Sequence, residues 1–144
     1  MLRVRPERTG WRDERISRRH REWGWDCPMI DIDFLVLEYD TGEPVALVEY
    51  KNEHARLQHT GHPSYQALIK LGDKAGIPVF GVRYADDFSW WKVTSLNWTA
   101  RKHIPKPKIM DEYDYVSFLY GLRGRTVPLE VRQRLKRAAL VDGQ

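Results

Sequence analysis

The spacing of hydrophobic and polar residues divides the chain into alternating helical and extended segments. Between residues 11 and 23, apolar and aromatic side chains recur at intervals of four and three, which predicts a helix that ends at Gly24. Runs rich in β-branched and aromatic residues follow at 30–39 and 45–51, separated by the turn-forming stretch Asp-Thr-Gly-Glu-Pro. Two such runs joined by a short turn predict a β-hairpin.

The remainder of the chain predicts two more strands set among helices. The polar stretch 52–62 is expected to be a loop, and so is the basic stretch 97–108, which contains two prolines. The other predicted elements are a helix over 63–75 ending at Gly76, strands over 77–84 and 90–96, and helices over 112–122 and 128–140. This order predicts an α/β fold, a three-layer sandwich with a central mixed β-sheet flanked by helices.

Length and composition indicate one globular domain over residues 1–144. A chain of 144 residues, 42% hydrophobic and 12% aromatic, folds without a disulfide or a structural metal. The single cysteine, Cys27, excludes an intrachain disulfide and a four-thiolate zinc site. The chain has no apolar run long enough to span a membrane, and its first ten residues lack the apolar stretch of a signal peptide. We therefore expect no membrane association and a cytoplasmic location.

The net charge of +4 conceals an uneven distribution along the chain. Residues 26–60 contain eight acidic and two basic side chains, a balance of −6, so that the rest of the chain carries +10. A basic body around an acidic segment suits a metal-dependent enzyme that acts on a polyanion, and it equally suits an ordinary patchy surface.

Asp33, Glu49 and Lys51 carry the candidate chemistry. Asp33 lies in the first predicted hairpin strand, whereas Glu49 and Lys51 end the second, two positions apart and so on one face. With the turn centred near Gly42, Asp33 lies opposite the Glu49–Lys51 end. Two carboxylates and the Tyr50 carbonyl make a hard oxygen site suited to Mg²⁺ or Mn²⁺, and Lys51 can assist a water and offset transition-state charge. The plainer interpretation is a solvated hairpin with a cross-strand salt bridge.

Asp33, a gap of fifteen residues and then Glu49-Tyr50-Lys51 resemble the motif of the PD-(D/E)xK nuclease superfamily, to which Holliday-junction resolvases and RecB-like nucleases belong. The order helix, hairpin, helix, strand is similar to the common core of that superfamily. The resemblance implies a restriction-endonuclease-like core over residues 11–97, after a basic arm (1–10) and before a basic loop and C-terminal helices (98–144). It also implies that Asp33, Glu49 and Tyr50 hold the metal.

The same resemblance implies further site residues. Many members place a glutamate on the first helix, and we prefer Glu14 to Glu22 because Glu14 lies mid-helix in the predicted element. Several subgroups carry a glutamine on the helix after the motif, and Gln66 is expected to orient the water or a phosphate oxygen. Asp31 has the same facing as Asp33 and stays a rival for the metal-ligand role, although the aliphatic run follows Asp33 directly.

Basic residues on both sides of the motif are candidate DNA phosphate contacts. They lie on the first helix and in the 97–108 stretch, and the set is Arg15, Arg18, Arg19, Arg101 and Lys102. Trp90 and Trp91 face opposite ways if their stretch is a strand. Core packing is the plainer role for both rings, and stacking of an exposed one on a base is the alternative.

Together these features predict a Mg²⁺-dependent DNA endonuclease, resolvase-like, that is selective for DNA structure or low in sequence specificity. A phage origin would suit the small size of the chain, and a homodimer is expected. The apolar line of the C-terminal helix either completes the core or forms the dimer face. One alternative is a non-catalytic nucleic-acid-binding module that keeps the nuclease fold. Another is a metal-dependent phosphatase, for which Asp31 and Asp33 would be the paired acids.

Overall fold

The computed structural model describes residues 14–56 and 60–142, with side chains up to residue 136. The chain divides after Asp31 into two compact units. The first unit contains helix α1 (Glu14–Glu22), whose side chains are exposed except for the half-buried His20. The expectation of a single domain over residues 1–144 stays a prediction.

The second unit is an α/β fold with a five-stranded mixed sheet, as predicted. The strands lie in the order β1-β2-β3-β4-β5; β2 and β3 are parallel, and the other neighbours are antiparallel. No helix in the described part of the chain is long and apolar enough to cross a membrane. The elements are β1 (Phe34–Glu38), β2 (Glu43–Asn52), α2 (Pro63–Ala75), β3 (Val79–Tyr84), β4 (Trp91–Ser95), α3 (Trp98–Arg101), β5 (Lys108–Met110), α4 (Glu112–Leu122) and α5 (Leu129–Asp142).

Helix α2 has the predicted bounds because both of its ends carry local stop signals. Pro63 occupies the first turn, where its missing N–H costs nothing, and the His62 Nδ1 atom accepts a hydrogen bond from the Ser64 N–H at 3.2 Å. Gly76 ends the helix in the left-handed conformation, at φ +71°. These two caps set where the chain enters and leaves the helix after the Glu49-Tyr50-Lys51 motif.

The first hairpin strand is shorter than predicted, and Asp33 lies just before it rather than in it. β1 begins at Phe34, and continuing its register would set Ile32 against Tyr50. The Asp33 carboxylate accepts a hydrogen bond from the Tyr50 N–H at 3.1 Å instead. A side-chain oxygen thus takes the place of the next main-chain carbonyl in the ladder, and the strand starts at Phe34 rather than at the predicted residue 30.

The basic stretch 97–108, predicted to be a loop, contains the short helix α3 and leads into β5, a strand that the hydrophobic pattern missed. Asn97 caps α3, because its Oδ1 atom accepts a hydrogen bond from the Ala100 N–H at 3.0 Å. β5 has only three residues and pairs with β4, with Ile109 opposite Lys92. Three residues are too few for periodicity to reveal a strand.

Helices cover both faces of the sheet. On one face, α2 packs through Leu68 against Leu47 and Val79, and Gly72 permits the close approach, since a Cβ atom there would overlap the Val79 side chain. The opposite face carries the larger core, to which α3 and α4 contribute: Ala46, Val48, Phe80, Val82, Val93, Ala100, Ile104, Met110 and Tyr115. Alternation along β2 therefore sends Leu47, Glu49 and Lys51 to the α2 face.

The segment after α4 contacts the β1–β2 hairpin near its turn. Arg125 donates two hydrogen bonds to the Glu38 carboxylate, at 2.7 and 2.9 Å, and these bonds hold the pKa of Glu38 below its ordinary value. Val127 and Val131, two residues of the predicted apolar line, are buried. That part of the line therefore belongs to the core rather than to an exposed dimer face.

Candidate active site

Asp33 and Glu49 face each other at the open end of the β1–β2 hairpin. The ladder pairs Phe34 with Val48. One position further from the turn on each strand, Asp33 lies opposite Glu49 on the same face of the sheet. The prediction that Asp33 lies opposite the Glu49–Lys51 end is confirmed. Lys51 follows on the same face, and its Nζ atom lies 3.5 Å from Glu49 Oε1.

The Glu49 carboxyl is the most perturbed member of this group. Burial raises its pKa above the ordinary value, and the negative charge of Asp33 raises it further, whereas the ammonium of Lys51 opposes the shift. The side chain is only 15% exposed. Two carboxylates thus share a partly dry site in which one nearby lysine does not offset both charges.

The donor set fits a hard divalent cation. The Leu47 N–H donates a hydrogen bond to the Pro78 carbonyl, on the β3 side of β2. Main-chain groups alternate in direction along a strand, so the N–H and C=O of Tyr50, three residues further on, point to the β1 side. There the Tyr50 N–H donates to the Asp33 carboxylate. The Tyr50 carbonyl points to that same side of β2. Among the described residues, no group of three or more His, Cys, Asp and Glu side chains is placed to hold a metal ion. The candidate cation ligands at this end of the hairpin are therefore the carboxylates of Asp33 and Glu49 and the Tyr50 carbonyl.

The sheet arranges the neighbouring side chains in two rows across the strands. One row runs through Asp33, Glu49, Gly81 and Thr94, and the next runs through Lys51, Arg83, Lys92 and Ile109. Because Gly81 has no side chain, the first row contains a gap beside Glu49. An acidic row thus lies directly beside a basic one.

A cavity of about 210 Å³ opens on this face, between the sheet and the start of α2. Glu49 and Lys51 line one side, and Arg83 and Lys92 line the side towards β4. The buried Tyr65 also lines it. Glu49 and Lys51 therefore adjoin a space in which a ligand can lie.

Arg83 and Lys92 are the site residues that sequence reasoning missed. Arg83 Nη2 donates to the Glu53 carbonyl, and Arg83 Nε is buried without a hydrogen-bond partner among the described atoms. Lys92 is exposed. The available signal was a single basic residue inside each of two otherwise uncharged strands, but only the register shows that both align with Lys51.

Gln66, Glu14 and Glu22, the other glutamine and glutamate candidates, have contacts of their own or lie in the first compact unit. Gln66 is half-buried on α2, and its amide donates to the Thr60 carbonyl at 3.0 Å. Glu14 lies in the first turn of α1 as described, not mid-helix as expected, and Glu22 pairs with Arg19 at 3.6 Å. The roles proposed for Glu14 and Gln66 stay predictions.

The predicted phosphate contacts lie on α1 and at the end of α3. Arg15, Arg18 and Arg19 are exposed on α1, in the first compact unit. Arg101 and Lys102 are exposed at the end of α3, whose Ala100 packs in the core on the face opposite Glu49. The structure thus does not bring Arg101 and Lys102 to the carboxylate pair.

Comparison of the chain with protein-family models, with curated proteins and with solved structures gives no match.

The raised pKa of Glu49 predicts that Glu49→Gln stabilises the metal-free protein. A carboxyl with a raised pKa favours the folded state fully below pH 4.5, its ordinary value, and that contribution is lost as the pH rises through the folded-state pKa. In EDTA at pH 8 we expect the variant to unfold at a higher urea concentration than the wild type. The difference should disappear at pH 4.

The same variant tests metal binding without any assay of activity. Added Mn²⁺ should raise the melting temperature of the wild type, because a ligand of the folded state stabilises it, and should not raise that of Glu49→Gln. Glu43→Gln, at the exposed start of the same strand, is the matched control and should respond as the wild type does. Equal Mn²⁺ stabilisation of wild type and Glu49→Gln would exclude Glu49 as a ligand.

Proposed function

We propose that this protein is a metal-dependent nuclease that hydrolyses phosphodiester bonds of DNA, with a restriction-endonuclease-like core. The observation that carries the proposal is the pair of adjacent rows across the sheet, one acidic and one basic, from which Glu49, Lys51, Arg83 and Lys92 line one cavity. The acidic row supplies cation ligands, and the basic row supplies a complementary surface for phosphate.

Asp33, Glu49 and the Tyr50 carbonyl would hold Mg²⁺ or Mn²⁺. When bound, such a cation polarises a phosphate oxygen and lowers the pKa of a coordinated water. The hydrogen bond from the Tyr50 N–H orients Asp33, so the ligand oxygens are arranged before any cation arrives. A bound cation would offset the mutual repulsion of Asp33 and Glu49, so its affinity would depend on the ionisation of both carboxyl groups.

Lys51 has two roles in this proposal. Its ammonium, within 3.5 Å of Glu49, restrains the ligand carboxylate and donates hydrogen bonds into the cavity. There it orients the attacking water and offsets the negative charge that builds on the phosphorane-like transition state. Arg83 and Lys92, further along the same row, bind the phosphate backbone that continues past the cleavage point.

Cleavage of a panel of DNA substrates tests the proposal. The full chain with Mg²⁺ or Mn²⁺ is incubated with plasmid, single-stranded, flap and four-way-junction DNA. We expect cleavage of at least one substrate, abolished by EDTA and lowered about 100-fold or more by Asp33→Asn. Asp87→Asn, an exposed acid in the turn before β4, should cut as the wild type does.

Other outcomes of the panel contradict the proposal in distinct ways. Tight, salt-dependent DNA binding without cleavage would favour a non-catalytic module. Hydrolysis of small phosphomonoesters alone would favour the phosphatase alternative. Cleavage that survives Asp33→Asn would remove the site assignment.

A further inference from the structure

We propose that Arg83, Trp90, Lys92 and Ile109 form a binding site for an unpaired nucleotide next to the cleaved phosphate. The substrate of this enzyme would then carry a single-stranded segment. This inference deepens the proposed nuclease function and rests on it for the position of the cleaved bond. The base-binding part is a separate property of the surface and can be tested separately.

A second cavity, of about 490 Å³, adjoins the first on the same face of the sheet. Arg83 and Lys92 line both cavities, and Trp90 and Ile109 complete the second. A DNA strand that leaves the carboxylate pair and crosses β3 and β4 would therefore pass Arg83 and Lys92 and then reach Trp90.

Trp90, directly before β4, and Trp91, its first residue, place their two rings on opposite faces of the sheet. Trp91 is held in the aromatic core, with its ring stacked on Tyr115 at 4.7 Å and its Nε1 donating to the Phe88 carbonyl at 3.1 Å. Trp90 is half-buried, and it lines the second cavity together with Lys92, two positions along the chain. The Trp90 carbonyl accepts a hydrogen bond from the Ala85 N–H at 3.0 Å, which fixes its main chain.

The second cavity combines two kinds of wall. Trp90 and Ile109 are apolar, and Ile109 is 67% exposed. Arg83 and Lys92 are cationic. The one acid in the lining, Glu53, is already engaged: its Oε2 accepts from the Asp86 N–H at 3.0 Å, and its Oε1 lies 3.2 Å from His54 Nε2.

An aromatic ring beside cations is the arrangement that binds single strands, because any base can stack on the ring while the phosphates meet the positive charges. A base within a duplex is already stacked on its neighbours and presents only its edge to a groove. The occupant that fits both walls is therefore a nucleotide whose base is unpaired. Flaps, gaps and single-stranded ends supply such a nucleotide, whereas continuous duplex does not.

Binding measured in EDTA isolates this site from cleavage. Fluorescence anisotropy of a labelled single strand and of the same sequence as duplex is compared for wild type, Trp90→Ala and Trp90→Phe. We expect Trp90→Ala to weaken single-strand binding about 10-fold, Trp90→Phe to recover most of it, and duplex binding to stay unchanged. Lys92→Gln should lower the salt dependence of single-strand binding by about one phosphate contact.

Trp98→Ala is the matched control, because Trp98 is 70% exposed on α3 and that helix packs on the opposite face. It should bind single strands as the wild type does. Equal weakening by Trp98→Ala and Trp90→Ala, or equal loss of single-strand and duplex binding in Trp90→Ala, would overturn the inference.

Cleavage assays then separate the two proposals. Single-strand binding through Trp90 with no cleavage in Mg²⁺ would support the base-binding site and contradict the nuclease function. Cleavage of continuous duplex and of flap DNA at equal rates, unchanged in Trp90→Ala, would support the nuclease function and contradict the inference.

Discussion

Lys51→Ala should lower the rate of DNA cleavage about 100- to 1,000-fold, the range found when one preorganised group that stabilises transition-state charge is removed. The ammonium is positioned for this role by its place in the cavity wall and by Glu49 at 3.5 Å. Because the metal ligands are untouched, the Mn²⁺-induced rise in melting temperature should persist. Single-turnover cleavage at saturating enzyme measures the effect.

Two further variants make the Lys51 result specific. Lys70→Ala removes an exposed lysine from α2 and should leave the rate unchanged. Lys51→Arg keeps the charge but replaces a compact ammonium with a planar fork, and we expect only partial recovery. A Lys51→Ala enzyme that cleaves at the wild-type rate would exclude Lys51 from the chemistry.

Asn97→Ala should lower the free energy of unfolding by about 3 kcal/mol, because it leaves a buried N–H without a partner and removes a helix cap. Asn97 is 3% exposed, and among the described residues it is the one buried polar side chain. Its Oδ1 accepts from the Val79 and Ala100 N–H groups, both at 3.0 Å, and its Nδ2 donates to the Ile77 carbonyl at 2.9 Å. Urea unfolding measures the loss.

The matched control is Asn52→Ala, whose hydrogen bond to Asp86 lies at the surface. Its loss should cost about 1 kcal/mol or less, since water replaces the partner. Asn97→Asp keeps the acceptor for Val79 and Ala100 but sets a carboxylate near Asp73, so its stability should rise as the pH falls. A cost for Asn97→Ala no larger than for Asn52→Ala would contradict the structural role.

The core of the candidate site could be predicted because it depends on neighbours in sequence. Glu49 and Lys51 share a face through the two-residue period of a strand, and Asp33 comes opposite them through one hairpin turn. The detailed state of Asp33 could not be predicted. Its carboxylate replaces a ladder carbonyl at the Tyr50 N–H, an exchange between side chain and main chain that leaves no mark in the hydrophobic pattern.

Arg83 and Lys92 could not be assigned from the sequence for a different reason. Each is one basic residue in an otherwise uncharged strand, and a solvated surface residue has the same appearance. Their alignment with Lys51 requires the parallel pairing of β2 with β3 and the antiparallel pairing of β3 with β4. The first pairing is made across α2, so its register depends on how Leu68 and Gly72 seat that helix on the sheet.

The sequence by itself determined the α/β class, the bounds of α2 and α4 and the meeting of Asp33 with Glu49, because these follow from local periodicity, caps and a single turn. Only the tertiary structure decided what surrounds that pair. Strand register set the basic row beside the acidic one, and the packing of α3 placed Arg101 and Lys102 on the far face. Register and helix placement depend on contacts between distant residues, and the order of residues along one strand does not encode them.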